Sequence, residues 1–233
     1  MTERVRLERI GHRGAKRELP ENTLPAFKRA FERGANAVEL DVHATADGVV
    51  VVHHDPSAHL PNGALVTLER ADWSTVKTVE FADGVGIPRL IDVLAAAPPD
   101  ATVYVEIKGT GIEVLVAAAI RESRARCAVH SFNHNAIVRM RDIAPEIPRG
   151  ILFEERVPNL PELIARTGAR DVWPHWPLVD HHLVDEIHGL RGRVICWTVN
   201  DRGAARTLAE LGVDGLCGDD VREFADIGRP DMR

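Results

Sequence analysis

The chain has 233 residues, a formal net charge of −6 and 45% hydrophobic residues, which is the composition of an ordinary globular protein. The negative charge argues against a broadly basic surface, so we expect neither nucleic acid nor an anionic membrane as a partner. Three scattered cysteines (Cys127, Cys196 and Cys217) are too few for a disulfide framework, and charges interrupt residues 1–14, where a secretion signal would be apolar. With no apolar run near about 18 residues, these features predict a cytoplasmic protein without a transmembrane segment.

Short apolar, β-rich runs alternate with stretches of helical periodicity along the chain. Strands are predicted at 5–10, 37–42, 102–107, 126–131, 149–153, 171–173, 193–199 and 213–217. Helices are predicted at 23–34, 89–97, 112–123, 134–142, 159–167, 180–188, 201–211 and after 219. Strand followed by helix, eight times, predicts a (β/α)₈ or TIM barrel of the α/β class, as a single domain over residues 1–233.

One apolar run, 49–52, falls outside this repeat. Only residues 44–48 precede it, which is too short for a parallel crossover, so it should return antiparallel to the second strand as a β-hairpin. The next stretch, 56–86, has turn signals and weak periodicity. We expect it to be a short irregular insertion that forms one wall of the substrate pocket.

Acidic side chains lie near the C-terminal ends of the predicted strands. Glu39 and Asp41 are two residues apart on the second strand and therefore project from one face, where a divalent cation would relieve their repulsion. Glu106 and Lys108 repeat this spacing on the third strand of the barrel and offer another carboxylate and a fixed cation. Because the strand ends of a barrel converge at one mouth, we expect these side chains to meet there.

The segment 11–14 reads Gly-His-Arg-Gly and directly follows the first predicted strand. We expect its glycines to let the backbone approach a ligand, while Arg13 presents a planar fork to phosphate oxygens. His12 in this loop and His54 after the hairpin are the two imidazoles expected at the mouth. Asp55 is expected to bond the backbone and close the turn.

The remaining histidines are not assigned a role in the site. His53 is placed on the face away from the mouth, and His43 is placed on the face opposite Asp41. Six others lack the spacing of metal ligands and are expected to be structural or exposed: His130, His134, His175, His181, His182 and His188. Trp197 and Phe132, after two later strands, are candidates for an apolar wall against the substrate.

Several of these residues belong to an ordered set of short motifs. The motifs are Ile10-Gly11-His12-Arg13-Gly14, Pro20-Glu21-Asn22-Thr23, Glu39-Leu40-Asp41-Val42, Asp47-Gly48, His54-Asp55 and Glu106-Ile107-Lys108. Together they resemble the glycerophosphodiester phosphodiesterase family, and the likeness covers nearly the whole chain. The segment 56–86 is shorter than the insertion usual in that family, and Gly218-Asp219-Asp220 stands where Thr-Asp-x-Pro is common.

The resemblance implies hydrolysis of a glycerophosphodiester to glycerol 3-phosphate and an alcohol, a reaction of lipid and glycerol metabolism. It assigns the metal ligands as Glu39, Asp41 and Glu106, the catalytic acid and base as His12 and His54, and the phosphate contacts as Arg13 and Lys108. The cofactor implied is a divalent cation, Mg²⁺ or Ca²⁺, with Mn²⁺ as a further candidate.

Three alternatives remain open from the sequence. The nearest is a phospholipase-like lyase that stops at a cyclic phosphate. The others are a carbonyl lyase with Lys108 as a Schiff-base lysine and a barrel that only binds its ligand. The sequence does not identify the leaving alcohol, the native metal, the first nucleophile or the oligomeric state.

Overall fold

The computed structural model describes residues 7–81 and 84–227. The strands in chain order are β1 (Glu8–His12), β2 (Ala37–Ala44), β3 (Val50–Val52), β4 (Ser57–His59), β5 (Leu65–Thr67), β6 (Thr102–Ile107), β7 (Arg126–Ser131), β8 (Arg149–Phe153), β9 (Asp171–Pro174), β10 (Arg193–Cys196) and β11 (Gly215–Gly218). The helices are α1 (Leu24–Glu32), α2 (Trp73–Val76), α3 (Leu90–Ala96), α4 (Glu113–Glu122), α5 (His134–Ile143), α6 (Leu160–Thr167), α7 (His181–Gly189) and α8 (Arg202–Glu210).

Eight parallel strands of the described chain form a closed barrel in the order β1-β2-β6-β7-β8-β9-β10-β11, and β11 pairs with β1 to complete it. The predicted TIM barrel and its eight strands are confirmed. The first strand is displaced from the predicted 5–10 to Glu8–His12, and residues 5–6 lie outside the described chain. His12 is therefore the last residue of a barrel strand, so the expectation that a loop delivers it was wrong.

Seven of the predicted helices are present in the described chain, with ends that differ from the prediction by a few residues. Side-chain caps fix three of the starts: Thr23 accepts from the backbone N–H of Ala26, Asp180 from that of Leu183, and Asp201 from that of Ala204. The helix expected after 219 is absent from residues 219–227, which contain only a short 3₁₀ turn, Val221–Glu223. No helix in the described ranges is long and apolar enough to cross a membrane.

The predicted hairpin is present, since β3 runs antiparallel to β2 with Val52 opposite Val42. The segment that follows is more ordered than expected, because it contains the β4–β5 hairpin, a 3₁₀ turn at Leu68–Arg70 and α2. These elements share a small apolar core of Val51, Ala58, Leu68, Val76, Val79 and Ile87. Burial of these apolar side chains stabilises the folded insertion without a ligand.

The inner face of the barrel changes character along its strands. Its middle layer is apolar and is filled by Ile10, Ala37, Tyr104, Ala128, Leu152, Trp173, Ile195 and Cys217. Because strand side chains alternate, the next inward position lies two residues further along each strand. At those positions β2 carries Glu39, β6 carries Glu106 and β7 carries His130. The interior of the barrel thus has an apolar middle layer and is polar at its C-terminal mouth.

Candidate active site

A cavity of about 210 Å³ opens at the C-terminal ends of the barrel strands. It is lined by His12, Arg13, Glu39, His54, Glu106, Lys108, His130, Phe132, Leu152, Glu154, Trp173, Trp197, Thr198 and Cys217. Every residue assigned to the site from the sequence lines this cavity, except Asp41, which is fully buried. No described residue of the segment 56–86 lines it, so the expectation that this insertion forms a pocket wall was wrong.

His12 lies between two carboxylates at the end of β1. Its Nδ1 atom is 2.7 Å from Oδ1 of Asp219, the first residue after β11, and its Nε2 atom is 3.9 Å from Oε2 of Glu39. A carboxylate at Nδ1 favours the tautomer with a proton there, which leaves Nε2 as the nitrogen that can exchange a proton. Sequence reasoning gave Asp219 no role, although it stands in one of the noted motif positions.

The glycines beside His12 allow close packing against α1. A Cβ atom at Gly11 would lie 2.8 Å from Cβ of Ala30, and one at Gly14 would lie 2.6 Å from the backbone of Ala26. Gly14 also has a positive φ of 83°, which side chains disfavour. The glycines therefore let β1 and its loop lie directly on α1.

Arg13 and Asn22 hold Asp41 in place beneath the cavity. Nε of Arg13 is 3.1 Å from Oδ2 of Asp41, and Asn22 donates from Nδ2 to the same oxygen at 2.9 Å. Burial works against ionisation of Asp41, but the charges of Arg13 and Lys108 outweigh it and keep the pKa of Asp41 below its usual value. Asn22 was quoted only as part of a motif, and its role as a partner of Asp41 was not predicted.

The two glutamates of the site behave differently from Asp41. Burial, reinforced by the charge of Asp41, raises the pKa of Glu39 to about 7 and that of Glu106 to about 7. Lys108 lies 3.2 Å from Oε1 of Glu106 and 3.5 Å from Oδ1 of Asp41. One lysine is shared between two carboxylates, so further positive charge would stabilise their ionised forms.

His130 joins this group, contrary to the expectation that it has no role in the site. It is adjacent to Glu106 in register, and Nε2 of His130 is 3.7 Å from Oε1 of Glu39. Burial lowers the pKa of His130 to about 4, so its ring is neutral at neutral pH. Glu39, Glu106 and His130 each place one ligand atom within 4.8 Å of the others.

The donor set fits a divalent cation. Among the described residues, both ring nitrogens of His130 and Oδ1 of Asp41 are buried without a hydrogen-bond partner. Such orphaned atoms are unfavourable unless something binds them. Glu39, Glu106 and His130 could hold the ion directly, and Asp41 lies beside them at the same mouth.

His54 is brought to the mouth by the hairpin, as the sequence predicted. Its Nδ1 atom is 2.7 Å from Oδ1 of Asp55, so Asp55 contacts the imidazole instead of closing the turn on the backbone.

His43 donates from Nε2 to the backbone carbonyl of His54 at 3.1 Å. The placement of His43 on the face opposite Asp41 was wrong, because residues two apart on a strand share a face. His53 stacks on Phe81 with ring centroids 5.8 Å apart and does not line the cavity.

Aromatic residues form the other side of the cavity. Phe132 and Trp197 meet edge to face with ring centroids 5.3 Å apart, and both line the cavity as expected for an apolar wall. Nε1 of Trp197 donates to the backbone carbonyl of Trp173 at 3.0 Å, which fixes the orientation of the indole. Glu154 follows β8 on the same side and was not singled out from the sequence.

Comparisons with known proteins show which family this chain resembles. The model of the glycerophosphoryl diester phosphodiesterase family matches residues 12–223. A curated glycerophosphodiester phosphodiesterase from Caldanaerobacter subterraneus subsp. tengcongensis is 31% identical over 94% of this chain and 97% of its own. The crystal structure of a glycerophosphodiester phosphodiesterase from Agrobacterium tumefaciens str. C58 has a TM-score of 0.84 and 26% identity, covering 95% of this chain and 100% of its own.

A third protein, a phosphodiesterase from Oleispira antarctica solved in complex with the product sn-glycerol-3-phosphate, shares the fold. Its TM-score is 0.82 at 24% identity, over 94% of this chain and 95% of its own. The match of the family model to most of the chain, together with the 31% identical relative, establishes the family. The chain belongs to the glycerophosphoryl diester phosphodiesterase family of phosphoric diester hydrolases.

Proposed function

We propose that this enzyme hydrolyses glycerophosphodiesters to glycerol 3-phosphate and an alcohol, with a divalent cation and with His12 and His54 as the proton carriers. The observation that carries this proposal is that both imidazoles line one cavity together with Arg13, Lys108 and the buried acidic group. The name of the 31% identical relative, a glycerophosphodiester phosphodiesterase, supports the substrate class.

The volume of the cavity favours a small diester. At about 210 Å³ it is below the range of about 300–1,000 Å³ that is usual for pockets holding drug-sized ligands. A glycerophosphodiester without acyl chains suits this space better than an intact phospholipid does. We therefore place the substrate among deacylated, water-soluble diesters.

The charge of the site favours the binding of a cation. The carboxylates of Glu39, Asp41 and Glu106 oppose an anionic phosphodiester, and Lys108 and Arg13 already contact these acids. A divalent cation held by the three carboxylates, with His130 beside them, would neutralise charge on a phosphate oxygen as a Lewis acid. Mg²⁺, Ca²⁺ and Mn²⁺ all suit the carboxylates.

Arg13 and Lys108 would share the remaining negative charge of the phosphate. Both side chains line the cavity, and each is already anchored by an acidic neighbour, so little ordering is needed on binding. In the transition state the charge on the phosphate oxygens increases, and fixed cations at this position stabilise it.

Proton transfer falls to the two imidazoles. Asp219 at His12 and Asp55 at His54 each contact Nδ1, which leaves Nε2 of both rings for exchange. One histidine would take a proton from the nucleophile while the other protonates the leaving alkoxide oxygen. Histidine suits this task because its charge ordinarily changes between about pH 5 and 8.

The proposal is tested by incubating the purified protein with the glycerophosphodiesters of ethanolamine, choline, glycerol and inositol. Release of glycerol 3-phosphate is measured with Mg²⁺, Ca²⁺, Mn²⁺ or chelator, and the products are followed by phosphorus NMR. We expect metal-dependent release without a lasting cyclic phosphate. A cyclic phosphate as final product would favour the lyase, and no release under any condition would refute the substrate class.

A further inference from the structure

Glu154 is an acidic residue in a cavity that must accept an anion. It is the first residue after β8 and follows Leu152 of the inner face by two positions, so it continues the inward alternation to the mouth. Its side chain lines the cavity and is exposed. Within the described chain, no lysine, arginine or histidine lies within 4.0 Å of its carboxylate, and it belongs to none of the carboxylate contacts described above.

The barrel order separates Glu154 from the phosphate contacts. Counting from β1, which ends in His12 and leads into Arg13, β8 is the fifth of the eight strands and is therefore diametrically opposite. Lys108 follows β6, the third strand, which is equally far from β1 and β8. Its Nζ atom is 3.5 Å from Oδ1 of Asp41, whose Oδ2 atom is 3.1 Å from Nε of Arg13, so Lys108 lies with Arg13. One half of the mouth thus carries the cations that would hold a phosphate, and the far half carries a free carboxylate.

One member of the aromatic pair, Phe132, lies beside Glu154 in the barrel order. Phe132 follows β7, the neighbour of β8, and its ring touches that of Trp197, which follows β10. Phe132 is 39% exposed, so a face of its ring is open to a ligand. Aromatic rings attract cations through their quadrupole, most strongly for ammonium groups that bear methyl substituents and shed water easily.

We propose that Glu154, Phe132 and Trp197 form a subsite for a cation, so that the preferred substrate is a glycerophosphodiester whose alcohol carries an ammonium or trimethylammonium group. The inference rests on the proposed function and adds a substrate preference to it. Such a diester is zwitterionic. Its phosphate would contact Arg13 and Lys108, and its cation would contact Glu154. A diester with an uncharged alcohol gains nothing from that carboxylate.

The expected size of the substrate preference follows from the solvent exposure of the subsite. An ion pair in a solvent-exposed setting changes binding by up to about fivefold, and an exposed cation–π contact has a similar effect. We expect kcat/KM for the ethanolamine or choline diester to exceed that for the glycerol diester by about five- to twentyfold. Because the pair is exposed, the preference should weaken in about 0.5 M salt.

The test compares the holoenzyme with three variants on the ethanolamine, choline and glycerol diesters. Glu154→Gln should reduce the ratio of kcat/KM for cationic over neutral substrate about three- to fivefold, mainly through KM for the cationic diesters. Phe132→Leu should lower kcat/KM for the choline diester more than for the ethanolamine diester. Glu155→Gln, which changes the adjacent exposed glutamate outside the cavity, is the matched control and should leave the ratio unchanged.

The outcomes separate the two proposals. Release of glycerol 3-phosphate from all three diesters, with a ratio that Glu154→Gln does not change, would refute the cation subsite and leave the proposed function standing. An equal fall of kcat for every diester in Glu154→Gln would place Glu154 in the chemistry and likewise refute the subsite. Absence of release from all diesters by the unaltered holoenzyme would refute the proposed function, and the subsite with it.

Discussion

The carboxylate of Asp219 lies 2.7 Å from Nδ1 of His12, although the two residues are 207 positions apart in the chain. Asn200 fixes this carboxylate, because its Nδ2 atom donates to Oδ2 of Asp219 at 2.7 Å and its Oδ1 atom accepts from the backbone of Asp219 at 2.9 Å. Burial opposes the charge of Asp219, but the bond to His12 and its charge, the bond to Asn200 and the charge of Lys16 together outweigh it and lower the pKa of Asp219 to about 2. Asp219 is therefore ionised at any working pH and positions the imidazole.

Asp219→Asn should lower kcat about 10- to 100-fold while KM changes little. The amide removes the charge that favours the Nδ1–H tautomer of His12 but leaves the side chain's volume, and Asp219 itself does not line the cavity. Steady-state kinetics on a glycerophosphodiester, with the metal saturating, measures both constants.

Asp220→Asn is the matched control for that variant. Asp220 bonds Arg222 rather than His12, so its amide should leave kcat unchanged. Unaltered kcat in the Asp219→Asn protein would show that His12 needs no positioning by this carboxylate.

His12→Ala and His54→Ala should each lower kcat about 10²- to 10⁴-fold, the usual effect of removing a general acid or base. The fold should persist, because both side chains lie at the rim of the cavity and not in the apolar core. Circular dichroism and a thermal melt check the fold, and kinetics check the activity.

The exposed His59 lies outside the cavity and provides the control variant His59→Ala, for which we expect normal turnover. Near-normal kcat in a metal-replete His54→Ala protein would remove His54 from the mechanism. Loss of the thermal transition in either variant would instead assign that histidine a structural role.

The strands and most of the site could be predicted because the relevant signals are local. Alternation within β2 places Glu39 and Asp41 on one face whatever the rest of the chain does, and the barrel then brings Glu106 to them. The same alternation, continued two residues along β2, places His43 on the face of Glu39 and Asp41.

Other residues of the mouth could not be read in this way. Most of β7 and all of β11 are buried on both faces, so the pattern of apolar residues in these strands does not reveal which positions point inward. Only the closed barrel shows which alternate residues of β7 and β11 point inward. The roles of His130 and Asp219 depend on that orientation. Their partners are distant in sequence, and no spacing rule connects them.

Metal should stabilise the protein more at high pH than at low pH. In the folded state the pKa values of Glu39 and Glu106 are raised to about 7, above the ordinary value of 4.5. Without metal, the stability that these glutamates contribute is fully present below about pH 4.5 and is lost as pH rises through 7. A divalent cation needs their ionised forms, so its affinity rises over the same range.

Thermal melts with and without Mg²⁺, Ca²⁺ or Mn²⁺ at pH 6 and pH 8 test this prediction. At a metal concentration of about 100 times Kd, we expect Tm to rise by about 5–10 °C at pH 8 and by much less at pH 6. Glu106→Gln should reduce both the pH dependence and the metal effect, whereas Glu122→Gln on the exposed end of α4 should change neither. A Tm shift that is equal at both pH values would contradict the assignment of these glutamates to the metal.

At the opposite end of the barrel, Arg193 should matter for stability and not for turnover. Its guanidinium lies 2.5 Å from Oε2 of Glu8 and 3.3 Å from Oδ1 of the buried Asp171, and the hydroxyl of Tyr104 donates to Glu8 at 2.6 Å. Arg193→Met would leave these acids with fewer cationic partners, at a cost of about 2–4 kcal/mol in the free energy of unfolding. For a chain of this size that corresponds to a fall in Tm of about 5–15 °C.

Activity should survive this change, because the N-terminal end of a TIM barrel supports stability while chemistry takes place at the C-terminal mouth. Differential scanning calorimetry and kcat below the transition measure the two effects on one preparation. Arg124→Met, at an exposed arginine for which the described chain provides no ion pair, should change neither Tm nor kcat. If Arg193→Met lowered kcat by tenfold with Tm unchanged, the network would be coupled to the active site, and the separation of the two ends would be wrong.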